Sequence, residues 1–455
     1  MPEPGAGRID PDLAARLARL GVSVGVEGIR APEPPARDPE VRVDPHPDRA
    51  ADGVGSPARL PIEEAVPGRE QRREDGACYV STAYRALDEL HAGERLGAAL
   101  EACTESLAAL AGDAALSGID LANTAFLDTE TTGLMGGTGT YAFLIGVGRF
   151  VGPSFQVRQF FMRGPGEERA QLAEVADWIA PCSGLVTFNG RSYDMPLLAT
   201  RCTLHRRPAF LAGAPHLDLL PAARRLWRLR LESCALTALE RDVLGLARQD
   251  DVPGWLIPYR YFRYQQDGDA RPLVGIFEHN ALDILSMVSL LSRVARAYRA
   301  PDEALAHAED WFSLARAYER AGEPARALAA CRRALDQGLP AESAARAWET
   351  MGLIARRSGD WSTATGIWRE LVAAEANRRL YPYEELAKFW EHRAEPRDPD
   401  RALTWSRRAL ERLEAGDLRP RRGLRSARAQ LQHRIGRLER RLGIAPDPGR
   451  SGDGA

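Results

Sequence analysis

Trp311, Leu314, Ala315, Tyr318, Gly322, Ala327 and Ala334 recur 37 residues later as Trp348, Met351, Gly352, Ala355, Gly359, Ala364 and Leu371. The spacing inside each copy is helical, and one such unit cannot bury its apolar pattern alone. A chain that carries the repeat must therefore stack its copies into a superhelix. Small residues at equivalent places let paired helices approach, while Trp and Tyr fill the space beside them. A third, weaker copy uses Tyr383, Leu386, Ala387, Trp390, Ala402 and Ala409. The repeats are expected over 301–415, a capping helix over 416–443 (about Leu424 to Leu442), and a disordered tail over 444–455.

The chain before residue 300 has a different grammar. Residues 1–60 are rich in Pro, Gly, Asp and Arg and read as disordered, with at most one short helix over Leu13 to Leu20. Residues 61–115 read as an extension leading into a domain over 116–300, with a helix over Leu96 to Leu110. Strands are expected at 124–128, 140–150 and 154–162, the last two joined by a Gly-Pro turn, so that the three form a meander. An amphipathic helix over Glu167 to Ile179 and a strand over Leu185 to Phe188 follow. Helices come next, at about 193–203, 219–230, 233–244 and Phe277 to Tyr298. The segment 250–264 has irregular spacing. This alternation predicts an α/β fold, a mixed sheet flanked by helices.

Composition narrows the function classes less than the pattern does. A formal charge of -2 gives no global field for a polyanion. Lys388 is the only lysine, so arginine clusters reflect a coding bias and weigh less. The six cysteines show no Cys-x-x-Cys spacing, which suits reduced thiols in a cytoplasmic protein. A basic-then-apolar leader pattern and an eighteen-residue apolar run are both missing, so no membrane is expected.

Chemistry concentrates in three places. Phe126-Leu127-Asp128-Thr129-Glu130 ends an apolar strand with two carboxylates on one face. Such a pair repels unless a cation lies between its members, and oxygen donors favour Mg²⁺ or Mn²⁺. Leu185 to Asp194 (LVTFNGRSYD) ends a strand at Asn189-Gly190 and places Asp194 in the first turn of a helix. There it either complements the helix dipole or brings a third carboxylate over the sheet edge. Asn189 and Arg191 could meet a phosphate or tie down the loop. In Glu278 to Asp283 (EHNALD), His279 and Asp283 are four apart and share a helical face. His279 is either a solvated residue or, opposite the acids, a proton acceptor.

Together, Asp-x-Glu, Asn-Gly-x-x-x-Asp and His-x-x-x-Asp resemble the three motifs of the DEDD 3′-5′ exonucleases of the ribonuclease H-like superfamily. The intervening HLDLL (216–220), CALTALE (234–240) and DDVPG (250–254) look more narrowly like bacterial proteins that join such a domain to tetratricopeptide repeats. Their repeat is 34 residues, three shorter than the offset here, and the extra residues fit between units. The resemblance covers about residues 75–410. It implies two-metal phosphodiester hydrolysis, with Asp128, Glu130, Asp194 and Asp283 as ligands of two Mg²⁺ or Mn²⁺ ions and His279 as the base. It also implies a nucleic-acid substrate, single-stranded or with an accessible 3′ end, and digestion from 3′ to 5′. One departure stands out: histidine-type members place the histidine five residues before the last aspartate, and here it is four, the tyrosine-type spacing.

Thr131, Asn189 and Arg191 are the expected substrate contacts. A strand path is suggested by His205, Arg206, Arg207, Arg224, Arg225, Arg228 and Arg230, with Trp255, Tyr259, Tyr261, Phe262 and Tyr264 as aromatics to stack bases. Trp227 reads as core. Gly136 to Thr140 lacks a following lysine and helix start, so it reads as a bend and not as a phosphate loop. The rival reading is a non-catalytic scaffold whose repeats bind a protein partner; the presence of all four carboxylates argues for the nuclease.

Overall fold

The computed structural model describes residues 59–74, 76–133, 139–373, 378–420 and 423–444. The expectations for 1–58, for Gly136 to Thr138 and for 445–455 lie outside the described residues. The segment read as an extension contains two strands, β1 (Arg69–Arg73) and β2 (Gly76–Ala86). A small hairpin follows, β3 (Leu90–His91) and β4 (Glu94–Arg95), and the expected 96–110 helix is divided into a 3₁₀ turn at Leu96–Glu101 and α1 (Thr104–Ala111).

The meander is β5 (Thr124–Thr131), β6 (Ala142–Val151) and β7 (Ser154–Phe161). After α2 (Glu168–Ile179) come β8 (Gly184–Thr187), α3 (Asp194–Leu204), β9 (His216–Asp218) and α4 (Leu219–Trp227). The sheet runs β1-β2-β7-β6-β5-β8-β9, antiparallel as far as β5 and parallel from β5 through β8 to β9. It is the expected mixed sheet, widened by β1, β2 and β9. Those three escape periodicity because β1 is polar and edge-lying, β2 alternates only in part, and β9 is three residues long.

The segment with irregular spacing forms α5 (Ile257–Asp267), and α6 runs from Val274 to Arg299. Helix α6 is long and apolar enough to cross a membrane, but most of its apolar side chains are buried here. Ile284, Met287, Val288 and Leu291 pack in the same core as Phe126, Val157 and Val186. On the opposite face of the sheet, Leu172, Val175 and Ile179 of α2 and Leu198 and Cys202 of α3 cover Ala125, Leu127, Ile145 and Val147. All six cysteines are free, five of them buried.

Beyond residue 300 the structure is a stack of paired helices: α7 (Ala308–Arg320) with α8 (Pro324–Asp336), α9 (Ala341–Arg357) with α10 (Trp361–Ala373), α11 (Tyr381–His392) with α12 (Pro399–Glu414), and a last helix α13 (Leu424–Leu442). The repeated positions behave as their sizes require. Ala315, Ala327, Ala334, Ala355, Ala364, Ala402 and Ala409 are fully buried, and a Cβ on Gly352 would lie 2.5 Å from the Trp368 ring nitrogen. Gly322 and Gly359 turn between paired helices at φ +77° and +73°, which glycine adopts without strain. The apolar core continues without interruption from α6 into Trp311, Phe312 and Leu314 of α7.

Candidate active site

Strand parity puts Asp128 and Glu130 on the α6 side of β5, in line with Phe126, and Thr129 on the other side. From there the Thr129 hydroxyl donates to Asp194 Oδ1, the first residue of α3. The strand irregularity between Glu130 and Thr131 ends the regular pairing at this point. Thr131 closes the strand by donating its hydroxyl to the Gly133 carbonyl at 3.0 Å.

Directly across from Asp128, the β6 partner is Gly146. A Cβ there would stand 2.1 Å from Asn280 Oδ1 and 2.6 Å from Ile284, so the missing side chain is what lets α6 close on the strand. Asn280 is fully buried and fills that space. Its Nδ2 donates to Asp128 Oδ2 at 2.9 Å, while its Oδ1 accepts from Gln159 at 3.0 Å. Sequence reasoning missed Asn280; an amide in mid-helix, flanked by His279 and Asp283, was the available signal.

Helix α6 starts three residues earlier than expected, so His279 lies in its second turn and is not the helix-start residue the sequence suggested. Its Nδ1 is 2.6 Å from Asp251 Oδ1, and its Nε2 faces Asp283 Oδ2 at 3.8 Å. Arg248 Nη1 also lies 3.3 Å from Nδ1, but the shorter Asp251 contact, in which the carboxylate accepts from Nδ1–H, leaves Nε2 as the basic nitrogen of the neutral ring. Asp251 thus supplies an orienting partner that the motif spacing did not reveal.

Arg248 is the second residue that the sequence reading passed over. Its guanidinium is almost wholly buried, with 6% of the side chain exposed. Nε and Nη2 donate to the two oxygens of Glu240 at 2.7 and 2.6 Å, Nη1 lies 3.3 Å from Asp251 Oδ2, and Nη2 also donates to Asp283 Oδ1. A protein cation is therefore already paired with one of the four carboxylates.

The electrostatics follow from burial and crowding. Burial, then the charges of Asp283, Glu130 and Asp194, hold Asp128 well above the usual carboxylate range, with the Asn280 amide opposing. Burial pushes Glu130 up to about 8; His279 opposes the rise, while Asp283 and Asp194 add to it. Asp194 is pushed up to about 6 by burial, against the Thr129 hydrogen bond. His279 is pulled down by burial, but Asp283, Glu130 and the Asp251 hydrogen bond outweigh this and raise it.

Asn189 sits at φ +65°, a left-handed turn that asparagine tolerates, and its N–H donates to Asp218 at 2.7 Å. Asp218 also accepts from the Arg191 and Leu220 N–H groups, so one carboxylate caps α4 and fixes the loop. The Arg191 side chain pairs with Asp113 at 3.0 Å and donates to the His216 carbonyl. A cavity of about 510 Å³ beside the sheet edge is lined by Asp128, Asn189, Asp283, Arg224 and Arg228. Of the other suggested cations, Arg225 lines a second cavity with Arg224 and Arg228, while His205 contacts Glu168 at 2.7 Å and Arg230 pairs with Asp310. Trp227 is core, and Trp255, Tyr259 and Phe262 are exposed, but Tyr261 and Tyr264 are buried against Phe161 and cannot stack bases.

Can these residues hold a divalent cation? The donors are hard carboxylate oxygens, three of the four raised first by burial and then by neighbouring carboxylates, which suits Mg²⁺ or Mn²⁺. Among the described residues, however, no three His, Cys, Asp or Glu side chains are gathered in a ready coordination geometry. Asp283 is turned to Arg248 and Asp194 to Thr129.

Residues 125–295 match the family model of the RNase_H superfamily, so this segment is an RNase H-like domain. An uncharacterized protein of Bacillus subtilis (strain 168), YprB, is 31% identical over 273 residues. The match takes in 60% of this chain and 65% of that protein.

Proposed function

We propose that the chain is a metal-dependent nuclease that hydrolyses nucleic-acid phosphodiester bonds, releasing nucleotides from the 3′ end. The observation that carries this reading is the crowd of carboxylates at the end of β5, in which Asp128, Glu130 and Asp194 are each raised by burial and by one another or Asp283. The 3′-to-5′ direction follows the motif resemblance. Asp128, Glu130, Asp194 and Asp283 would hold two Mg²⁺ or Mn²⁺ ions, which supply Lewis acidity and an activated water. Asn280 orients Asp128, Asp251 orients His279, and His279 Nε2 takes a proton from the attacking water. Asn189 presents its side chain to the substrate from the cavity wall. Thr131 and Arg191 line the approach, Arg191 by exchanging Asp113 for a phosphate. The helical pairs are read as tetratricopeptide repeats, and the free thiols suit a reducing, cytoplasmic setting.

End-labelled single- and double-stranded DNA and RNA, incubated with Mg²⁺ or Mn²⁺, test the proposal. Stepwise shortening from the 3′ end that is lost in Asp128→Asn supports it; equal shortening by Asp128→Asn, or none by either protein, defeats it.

One observation favours a second reading, a scaffold whose site has become structural: Arg248 neutralises Asp283 internally. Under the nuclease reading Asp283 would be a ligand once freed from Arg248, whose guanidinium Glu240 would still hold. Mn²⁺ affinity that is identical in wild type and Asp283→Asn would favour the scaffold.

A further inference from the structure

The turn that follows helix α4 meets the first repeat helix α7 at a buried ion pair. Arg230 Nε lies 3.0 Å from both oxygens of Asp310, which is almost fully buried. This contact, with the continuous apolar core beneath it, fixes the two helices relative to each other. Beside it lies a cavity of about 330 Å³ lined by Arg224, Arg225, Arg228, Arg316 and Arg320, with no carboxylate on its wall. Arg316 and Arg320 are four apart on the exposed face of α7, as Arg224 and Arg228 are on α4.

Little in the protein neutralises this group. Arg225 donates to the Leu110 carbonyl and Arg228 to the carbonyls of Leu231 and Glu232, which are dipoles and not counter-charges. Of the nearby acids, Asp310 is committed to Arg230 and Glu319 to Arg357 at 2.8 Å, and Glu232 lines the neighbouring cavity with Arg224 and Arg228. Partial burial, then the charges of Arg225 and Arg316, lower the pKa of Arg320, so the cations are close enough to repel. Such crowding costs stability unless an anion relieves it. Arg224 and Arg228 also line the cavity that holds Asp128 and Asp283. These two arginines therefore stand between the arginine cavity and the carboxylate centre.

We propose that this arginine cavity at the domain–repeat junction binds the phosphodiester backbone of the nucleic-acid strand, so that the repeat helix α7 is part of the substrate site. The inference rests on the nuclease reading for its direction, since the strand end lies at the carboxylates and the backbone runs out over α4 onto α7. Guanidinium groups suit phosphate oxygens because their planar N–H pairs match them. The coding bias toward arginine does not explain the cavity, because bias sets residue type and not the convergence of five side chains from two helices.

The test uses the full chain with Arg316→Glu and Arg320→Glu together. Arg332→Glu with Arg346→Glu, which reverses two exposed surface arginines of α8 and α9, is the charge-matched control, and Arg316→Gln with Arg320→Gln is the milder pair. Binding of fluorescent single-stranded DNA and RNA 20-mers is followed by anisotropy in EDTA across a salt series. Loss of two phosphate contacts should weaken binding about tenfold or more and reduce the salt slope by about 1.4, in the chains substituted at Arg316 and Arg320 only. In parallel, Mn²⁺-dependent hydrolysis of thymidine 5′-(p-nitrophenyl phosphate), too short to reach α7, should be unchanged. Unaltered affinity and slope overturn the proposal, as does equal weakening by the control. If oligonucleotide binding falls as predicted but the small ester is not cleaved by wild type, the cavity proposal stands and the nuclease reading fails. If the ester is cleaved but affinity is unmoved, the reverse holds.

Discussion

At the residue scale, the acids at the end of β5 make the metal-free protein sensitive to pH, and the sign can be worked out. Glu130 and Asp194 have folded pKa values of about 8 and about 6, above the ordinary carboxylate range. The folded state therefore holds protons that the unfolded chain has released, and stability falls as pH rises from about 4 to about 8. His279, raised by its neighbours, adds stability that is present below its ordinary pKa and is lost as pH rises through the folded value. Both effects run the same way. Melting in EDTA should give a lower Tm at pH 8 than at pH 5, and Asp128→Asn should recover ~2–4 °C for each kcal/mol of repulsion removed. The same variant should be no more stable than wild type with saturating Mn²⁺. A second expectation concerns the base. His279→Ala should lose about 10²–10⁴-fold in turnover and flatten the acidic limb of the pH-rate profile. Asp251→Asn removes a partner that raises the ring's pKa, so it should move that limb to lower pH while Mn²⁺ affinity holds. A profile that neither substitution alters would leave His279 without a proton-transfer role.

At the element scale, the site depends on how near α6 can come to the sheet. Gly146 and Gly148 in β6 leave the gaps that Asn280 and Ile284 occupy. Gly146→Ala should cost about 1–3 kcal/mol by overpacking and should depress turnover further, because the clash falls on the amide that holds Asp128. Urea unfolding with a turnover assay checks this; wild-type values on both would show that the approach is not tight. The meander, the α2 helix and the carboxylate strand were legible because each follows one period for several residues. Asp128 and Glu130 sharing a face needed only strand alternation, and Asp194 at a helix start needed only the break at Asn189-Gly190. Arg248, Asp251 and Asn280 were not legible as a group. Their partners lie across loops whose course no periodicity records, and the contact of Asp128 with Asn280 spans 152 residues of chain. The strands β1 and β2 were hidden for another reason: β1 is a polar edge strand, and β2 beside it buries only Cys78, Tyr79 and Val80 in succession, which follows no alternating pattern.

At the scale of the whole molecule, the 37-residue repeat and the sheet were readable separately, but their union was not. The core that passes from α6 into α7, and the Arg230–Asp310 pair above it, make the repeats a structural continuation of the RNase H-like domain. Cutting the chain at 301 should therefore expose Tyr298 and neighbouring apolar residues of α6, and should abolish the cooperative melting transition as followed by circular dichroism. A truncated chain with a wild-type melting curve would show instead that the two parts fold independently.

The central claim is that the four carboxylates form a site for two divalent ions, and counting bound Mn²⁺ tests it most directly. In a titration followed by electron paramagnetic resonance, free Mn²⁺ gives the signal and bound Mn²⁺ loses it. The account predicts two ions bound per chain in wild type, with binding lost or reduced to one ion in Asp128→Asn and with Mg²⁺ competing. Wild type and Asp128→Asn titrating alike, with all added Mn²⁺ remaining free, would contradict it.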